Sequence, residues 1–161
     1  MSIWADSFLQ KIITCDILYS KSSRKERLVM STFKNLEEAK EFFAHDLFAT
    51  ENGMTLDDIG DDWAEASVAL TDRHRNAQGG IMGGVMFTLA DLAFAAASNS
   101  VHSPSVAQQV SINYLSGTRG SKLFAHADCI KDGRTSGVYT VKVTDDLGRD
   151  IALFTAIAFK K

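Results

Sequence analysis

With 161 residues, 45% of them hydrophobic, 23% charged and one a proline (Pro104), the chain suits a single soluble domain with a buried core. A formal net charge of −3 gives no global reason to expect nucleic-acid binding. Cys15 and Cys129 form no CxxC pair, so a disulfide is not expected and a reduced, cytoplasmic setting is.

Residues 1–34 read as an appendage. Ile3 to Leu18 could form a short amphipathic helix, and Lys21 to Arg27 make a polar, basic run suited to a solvated linker. Asp6, Lys11 and Asp16 interrupt the apolar stretch, so no signal peptide is expected. Asn35 can cap a helix whose first turns carry Glu37, Glu38 and Glu41. Leu36, Ala39, Phe42, Phe43 and Leu47 recur at helical spacing and carry that helix to about Ala49. Alternation from Trp63 to Thr71 then predicts a strand.

A glycine-rich segment follows, and after it a helix from about Gly83 to Asn99 with apolar residues on most faces. Asp91 splits this run, leaving it short of the ~20 apolar residues of a membrane span. Beyond Pro104 come four alternating segments, Val106–Leu115, Lys122–Lys131, Gly137–Thr144 and Ile151–Phe159, separated by turn residues. Strands clustered after a helix indicate an α+β fold, a long central helix wrapped by a mostly antiparallel sheet.

Between Arg75 and Arg119 the only Asp, Glu, Lys or Arg is Asp91. A carboxylate in such surroundings is expensive to desolvate, which makes it the first candidate for chemistry. The pair Gly83-Gly84 opens the same helix, where free amides and the dipole favour developing negative charge; a tight turn would also explain the glycines. Gly84 and Asp91 are seven residues apart. They therefore share a helix face, about 20° from eclipsed, with ~10 Å of rise between them. Thr88 lies near the same stripe. An aspartate cannot reach across that rise, so a shared reaction requires a second copy of the chain.

Other chemistry is thinly supported. His45, His74, His102 and His126 lack metal-ligand spacing, and no dinucleotide fingerprint, Walker lysine or serine-nucleophile elbow occurs. No metal or cofactor is implied. Asp132-Gly-Arg-Thr-Ser136 reads as a hairpin turn, with phosphate gripping by Arg134 as the alternative.

Asn76, Gly83-Gly84 and Asp91 at this spacing, followed by Ser111-Ile-Asn-Tyr-Leu115 and Gly133-Arg-Thr-Ser-Gly-Val-Tyr139, resemble the hotdog-fold thioesterases of the phenylacetate-degradation (PaaI-like) type. The likeness covers roughly Asn35 to Phe159, within a hotdog domain taken as 35–161, and implies dimers or tetramers that hydrolyse acyl-coenzyme A, with coenzyme A entering only as part of the substrate. It makes Asp91 general base or nucleophile, gives the amide of Gly83 or Gly84 the thioester carbonyl, and lets Asn76 hold water or carbonyl from the opposite subunit. It places Arg134, Thr135 and Ser136 near the coenzyme A nucleotide. Where the family usually has histidine before the two glycines this chain has Met82, and Gln108 stands where some members carry serine or threonine. Met82 keeps open a hotdog module that binds acyl-CoA without turnover. Phe87, Phe94 and Tyr114 suit either an aromatic acyl pocket or plain core packing.

Overall fold

The computed structural model describes residues 32–161, so the amphipathic and basic segments expected before Met30 lie outside the described residues. The first helix, α1 (Leu36–Phe43), starts where Asn35 Oδ1 accepts the Glu38 amide at 2.9 Å. It ends six residues short of the predicted Ala49. The His45 ring sits 3.2 Å from the Glu41 carbonyl and 3.3 Å from that of Phe42, where the next turn's amides would bind. Asp46, at φ −78 and ψ 71, then starts a separate short helix, α2 (Leu47–Thr50). Phe42 and Leu47, expected on the buried stripe, are 52% and 59% exposed. Phe33 instead packs against Phe42 and Phe43 and is buried.

Six strands make one antiparallel sheet: β1 (Met54–Ile59), β2 (Trp63–Ala69), β3 (Ser105–Tyr114), β4 (Lys122–Asp132), β5 (Ser136–Asp145) and β6 (Asp150–Lys160), in the order β1-β2-β4-β5-β6-β3. The four strands predicted after the helix fall within one residue of their expected bounds. β1 was not predicted. Only Met54 and Leu56 point inward from it, Asp57 and Asp58 interrupt the alternation, and a register shift falls between Leu56 and Asp58. β2 stops at Ala69, two residues before the expected Thr71, and the chain passes into a single turn at Asp72–His74.

The central helix, α3 (Gly83–Val101), lies across the sheet. Leu89, Ala90, Ala93, Ala96 and Ala97 are fully buried, and their small side chains let the helix sit close to β2, β4 and β5. Phe94 meets Tyr139 and Phe154 with ring centroids 5.4 and 6.3 Å apart. By length and composition this 19-residue helix would suit a membrane span, but most of it is packed inside the domain. Its C-terminal end is tied to β3 by Asn99, whose side chain accepts from the Ser105 amide at 3.0 Å and donates to the Ser105 carbonyl at 3.3 Å.

Gly84, Phe87, Thr88, Asp91 and Ala95 form the incompletely covered stripe of α3, with Phe87 at its margin still reaching Phe154 of β6. Two strands, β1 and β3, have a free edge. β3 is exposed at most positions. Because Phe94 fills the seam between helix and sheet, Phe94→Ala is expected to lower the unfolding free energy by about 3–5 kcal/mol, read as an earlier midpoint in chemical denaturation with an unchanged slope.

Candidate active site

The approach to α3 is built by hydrogen bonds within one loop. His74 is buried; its Nδ1 accepts the Thr71 amide at 3.0 Å, which leaves Nε2–H to donate to the Asn52 carbonyl, also 3.0 Å away. The His74 carbonyl accepts the Met82 amide at 2.8 Å and so fixes the residue before the helix. Between them, Asn76 Oδ1 accepts the amides of Gln78 (3.0 Å) and Gly80 (3.1 Å), an Asx turn that closes the glycine-rich loop. Its carbonyl end is therefore occupied. Among the described residues its Nδ2–H2 has no acceptor and faces solvent.

At the start of α3 the Val85 amide donates to the Met82 carbonyl at 3.0 Å, whereas the amides of Gly83 and Gly84 donate to no backbone carbonyl. Met82 is 54% exposed, and its methyl lies over Gly84, 3.1 Å from where a Cβ would stand. One residue of this corner was assigned no such place from sequence. Tyr114, at the end of β3, lays its ring on Gly83 and donates its hydroxyl to the Gly83 carbonyl at 3.1 Å. A Cβ on Gly83 would come within 2.9 Å of that ring, so this glycine serves a close approach. The sequence offers Tyr114 as an aromatic for an acyl pocket or for the core; at 53% exposed it is not core, and its hydroxyl contact carries no sequence signal.

Asp91 sits about two turns further along the same stripe, half-buried, with no hydrogen bond or ion pair among the described residues. Burial first, and the nearby Asp46 second, push its carboxyl above the usual aspartate range. Thr88, on the same stripe, turns its hydroxyl back to the Gly84 carbonyl at 2.9 Å. Gln108 is exposed and lies at the register shift between Ala107 and Gln109 in β3. A cleft of about 490 Å³ runs along β1 between Phe43, Met54, Leu56 and Leu92, and neither Asp91 nor the helix-start residues line it.

Within one chain the predicted residues divide into separate groups. Asn76, Met82, Gly83, Gly84 and Thr88 gather at the start of α3. Arg134 and Thr135 are exposed at the β4–β5 hairpin, closed by the Gly133 amide donating to the Ser136 carbonyl at 2.9 Å. That hairpin is at the far end of the sheet, since Ser136 pairs with Phe159 and Phe159 with Val106, whereas Gly83 meets Tyr114 at the opposite end of β3. The 10 residues of β3 separate the two by roughly 30 Å. Phe94 belongs to the core, and Phe87 packs edge-on against Phe154 at 5.4 Å. Cys129 is half-buried and hydrogen-bonded to the Tyr139 hydroxyl; burial raises its thiol pKa and keeps it protonated, a poor nucleophile. Among the described residues no three metal-binding side chains gather.

The profile of the Thioesterase superfamily matches residues 78–152, the span from the glycine loop to β6. The chain is 30% identical over 122 residues to the acyl-coenzyme A thioesterase PaaI of Escherichia coli, covering 75% of this chain and 87% of that one. The chain belongs to the thioesterase superfamily, as a PaaI-like hotdog protein. The solved E. coli PaaI structure superposes with a TM-score of 0.69 at 26% identity, over 79% of this chain and 96% of the other. A thioesterase protein from Streptococcus pneumoniae, solved with coenzyme A, gives 0.69 at 26% identity over 75% and 95%. A relative from Archaeoglobus fulgidus, 34% identical over 99 residues, is matched over 61% of this chain and 64% of its own length. The shared fold is the six-stranded sheet around α3.

The raised pKa of Asp91 has a consequence for stability. A carboxyl whose folded-state pKa lies above its unfolded value binds more protons folded than unfolded, so stability falls as pH rises from the unfolded pKa through the folded one. At pH 7 the desolvated charge is therefore a net cost. Asp91→Asn is expected to raise Tm at pH 7, and the gain should fade as pH is lowered toward the ordinary aspartate value of 3.8. Equal Tm values at pH 7 would mean that the carboxylate is well solvated.

Proposed function

We propose that the protein hydrolyses acyl-coenzyme A thioesters at a site shared between two copies of the chain. The observation that carries the reading is the free amides of Gly83 and Gly84 and the unpartnered Asp91 on one open stripe of a single helix. The residues midway between Gly84 and Asp91 are Phe87 and Thr88. A two-fold axis passing beside them would set Gly84 of one copy opposite Asp91 of the partner. The free edges of β3 can pair antiparallel about the same axis, which brings each Arg134 hairpin toward the partner's helix start. Separation within one chain thus becomes proximity across a dimer, and a tetramer would be two such dimers.

A thioester carbonyl needs a nucleophile and a stabilised oxyanion, while thiolate leaves readily. The amides of Gly83 and Gly84 supply the second, and Asp91 acts as general base or nucleophile. Asn76 offers its free Nδ2–H2 to water or the carbonyl, and Arg134, with Thr135 and Ser136, takes the nucleotide phosphates of coenzyme A. The names of the E. coli and S. pneumoniae relatives support this substrate class. Met82 favours a second reading, a module that holds acyl-CoA without turnover, because a thioether lacks the donor of an imidazole.

Thiol release from a panel of acyl-CoAs separates the two. Turnover is expected, with Asp91→Asn lowering kcat by about 10² or more; binding without release from any of them would favour the module. The shared site has its own test. Gly84→Pro removes one amide donor at a helix position that tolerates proline. Co-refolding this variant with Asp91→Asn should restore about half of wild-type activity per heterodimer, because one of its two sites then carries neither change. No recovery would place the whole site within one chain.

A further inference from the structure

We infer that Tyr114 is a positioning residue that strengthens the Gly84 amide as an oxyanion donor, an inference that rests on the thioesterase reading above. The Gly83 carbonyl and the Gly84 N–H belong to one peptide group. The Tyr114 hydroxyl donates to that carbonyl at 3.1 Å. In a regular helix the same oxygen also accepts the amide four residues on, that of Phe87. Two donors on one carbonyl draw electron density toward oxygen and leave its N–H more positive. Hydrogen bonds linked through one peptide group polarise one another by about 10–30%. The Gly84 N–H has no backbone acceptor, so the extra polarity is directed outward.

The geometry is specific. Tyr114 comes from the last position of β3, an edge strand, and its ring rests on a residue that has no side chain. Any Cβ at position 83 would press into the ring at 2.9 Å and move the hydroxyl off the carbonyl. Gly83 is thus the condition for the Tyr114 contact, while Gly84 presents the amide that the contact polarises. Tyr114 is 53% exposed in the single chain, and packing of a second copy against β3 would dry the hydrogen bond and strengthen it.

Tyr114→Phe keeps the ring and removes only the donor. Two readouts are needed, one of them independent of turnover. In amide NMR spectra of the intact protein, the Gly84 N–H proton is expected to move upfield in Tyr114→Phe, with Tm unchanged. In thiol-release assays kcat is expected to fall roughly three- to tenfold with KM little changed, a smaller loss than deleting an oxyanion donor outright. An unmoved Gly84 resonance overturns the polarisation, and a shifted resonance with unchanged kcat overturns the catalytic role. A fall in Tm that accounts for the lost rate would make Tyr114 structural and also overturn it. Absence of thiol release by the wild type defeats the thioesterase reading itself, while the Gly84 resonance still decides whether the hydrogen bond polarises the amide.

Discussion

The burial of α3 is the constraint on which the rest of the structure depends. A helix whose alanines and leucines are covered by β2, β4 and β5 cannot rotate or slide without opening voids in a close-packed interior. Its orientation is therefore fixed, and so is the one stripe that remains open. Every polar feature of the site is referred to that stripe: the amides at its start, Thr88 behind them and Asp91 further along. The sheet holds the helix still, and the helix presents these groups.

Stability and chemistry oppose each other at a single position. Asp91 could be apolar at a gain, since its carboxylate is partly desolvated beside Asp46 with no partner to compensate. The loop before the helix is the contrary case. His74, Asn76 and Tyr114 each satisfy backbone groups, and together they hold Met82 and Gly83 in one arrangement. The loop half of the candidate site is built from satisfied hydrogen bonds, and the Asp91 half from an unsatisfied charge. Such a division is expected where a group must be poised rather than anchored.

The fold was largely legible because its strands alternate cleanly and its helix is apolar all round, signals that depend only on period and burial. The failures have local causes. The α1 break follows from the His45 ring binding α1 carbonyls, a side-chain contact that helical spacing does not encode. β1 escaped because an edge strand with only two inward residues and a bulge barely alternates. At the site, Asp91 stood out as a lone charge, and Gly83-Gly84 as a helix start. The contact of Tyr114 with Gly83 did not, since its partner lies 31 positions away and is a backbone carbonyl. Contacts of that kind leave no pattern in one sequence.

The separation of the Arg134 hairpin from the helix start bears most on how such a protein works. A single chain presents two free helix-start amides at one end of β3 and the exposed Arg134 hairpin at the other, roughly 30 Å away, with Asp91 between them out of reach of its own Gly84. None of these groups can be moved closer without breaking the register of β5, β6 and β3. In the proposed dimer an antiparallel partner would set one end of each chain against the other end of its mate, closing both separations with one symmetry operation. The same operation would cover the free edge of β3, which an isolated domain would leave open to nonspecific pairing. In the proposed dimer, protection of the edge and completion of the site would be one event, coupling turnover to assembly without any moving part.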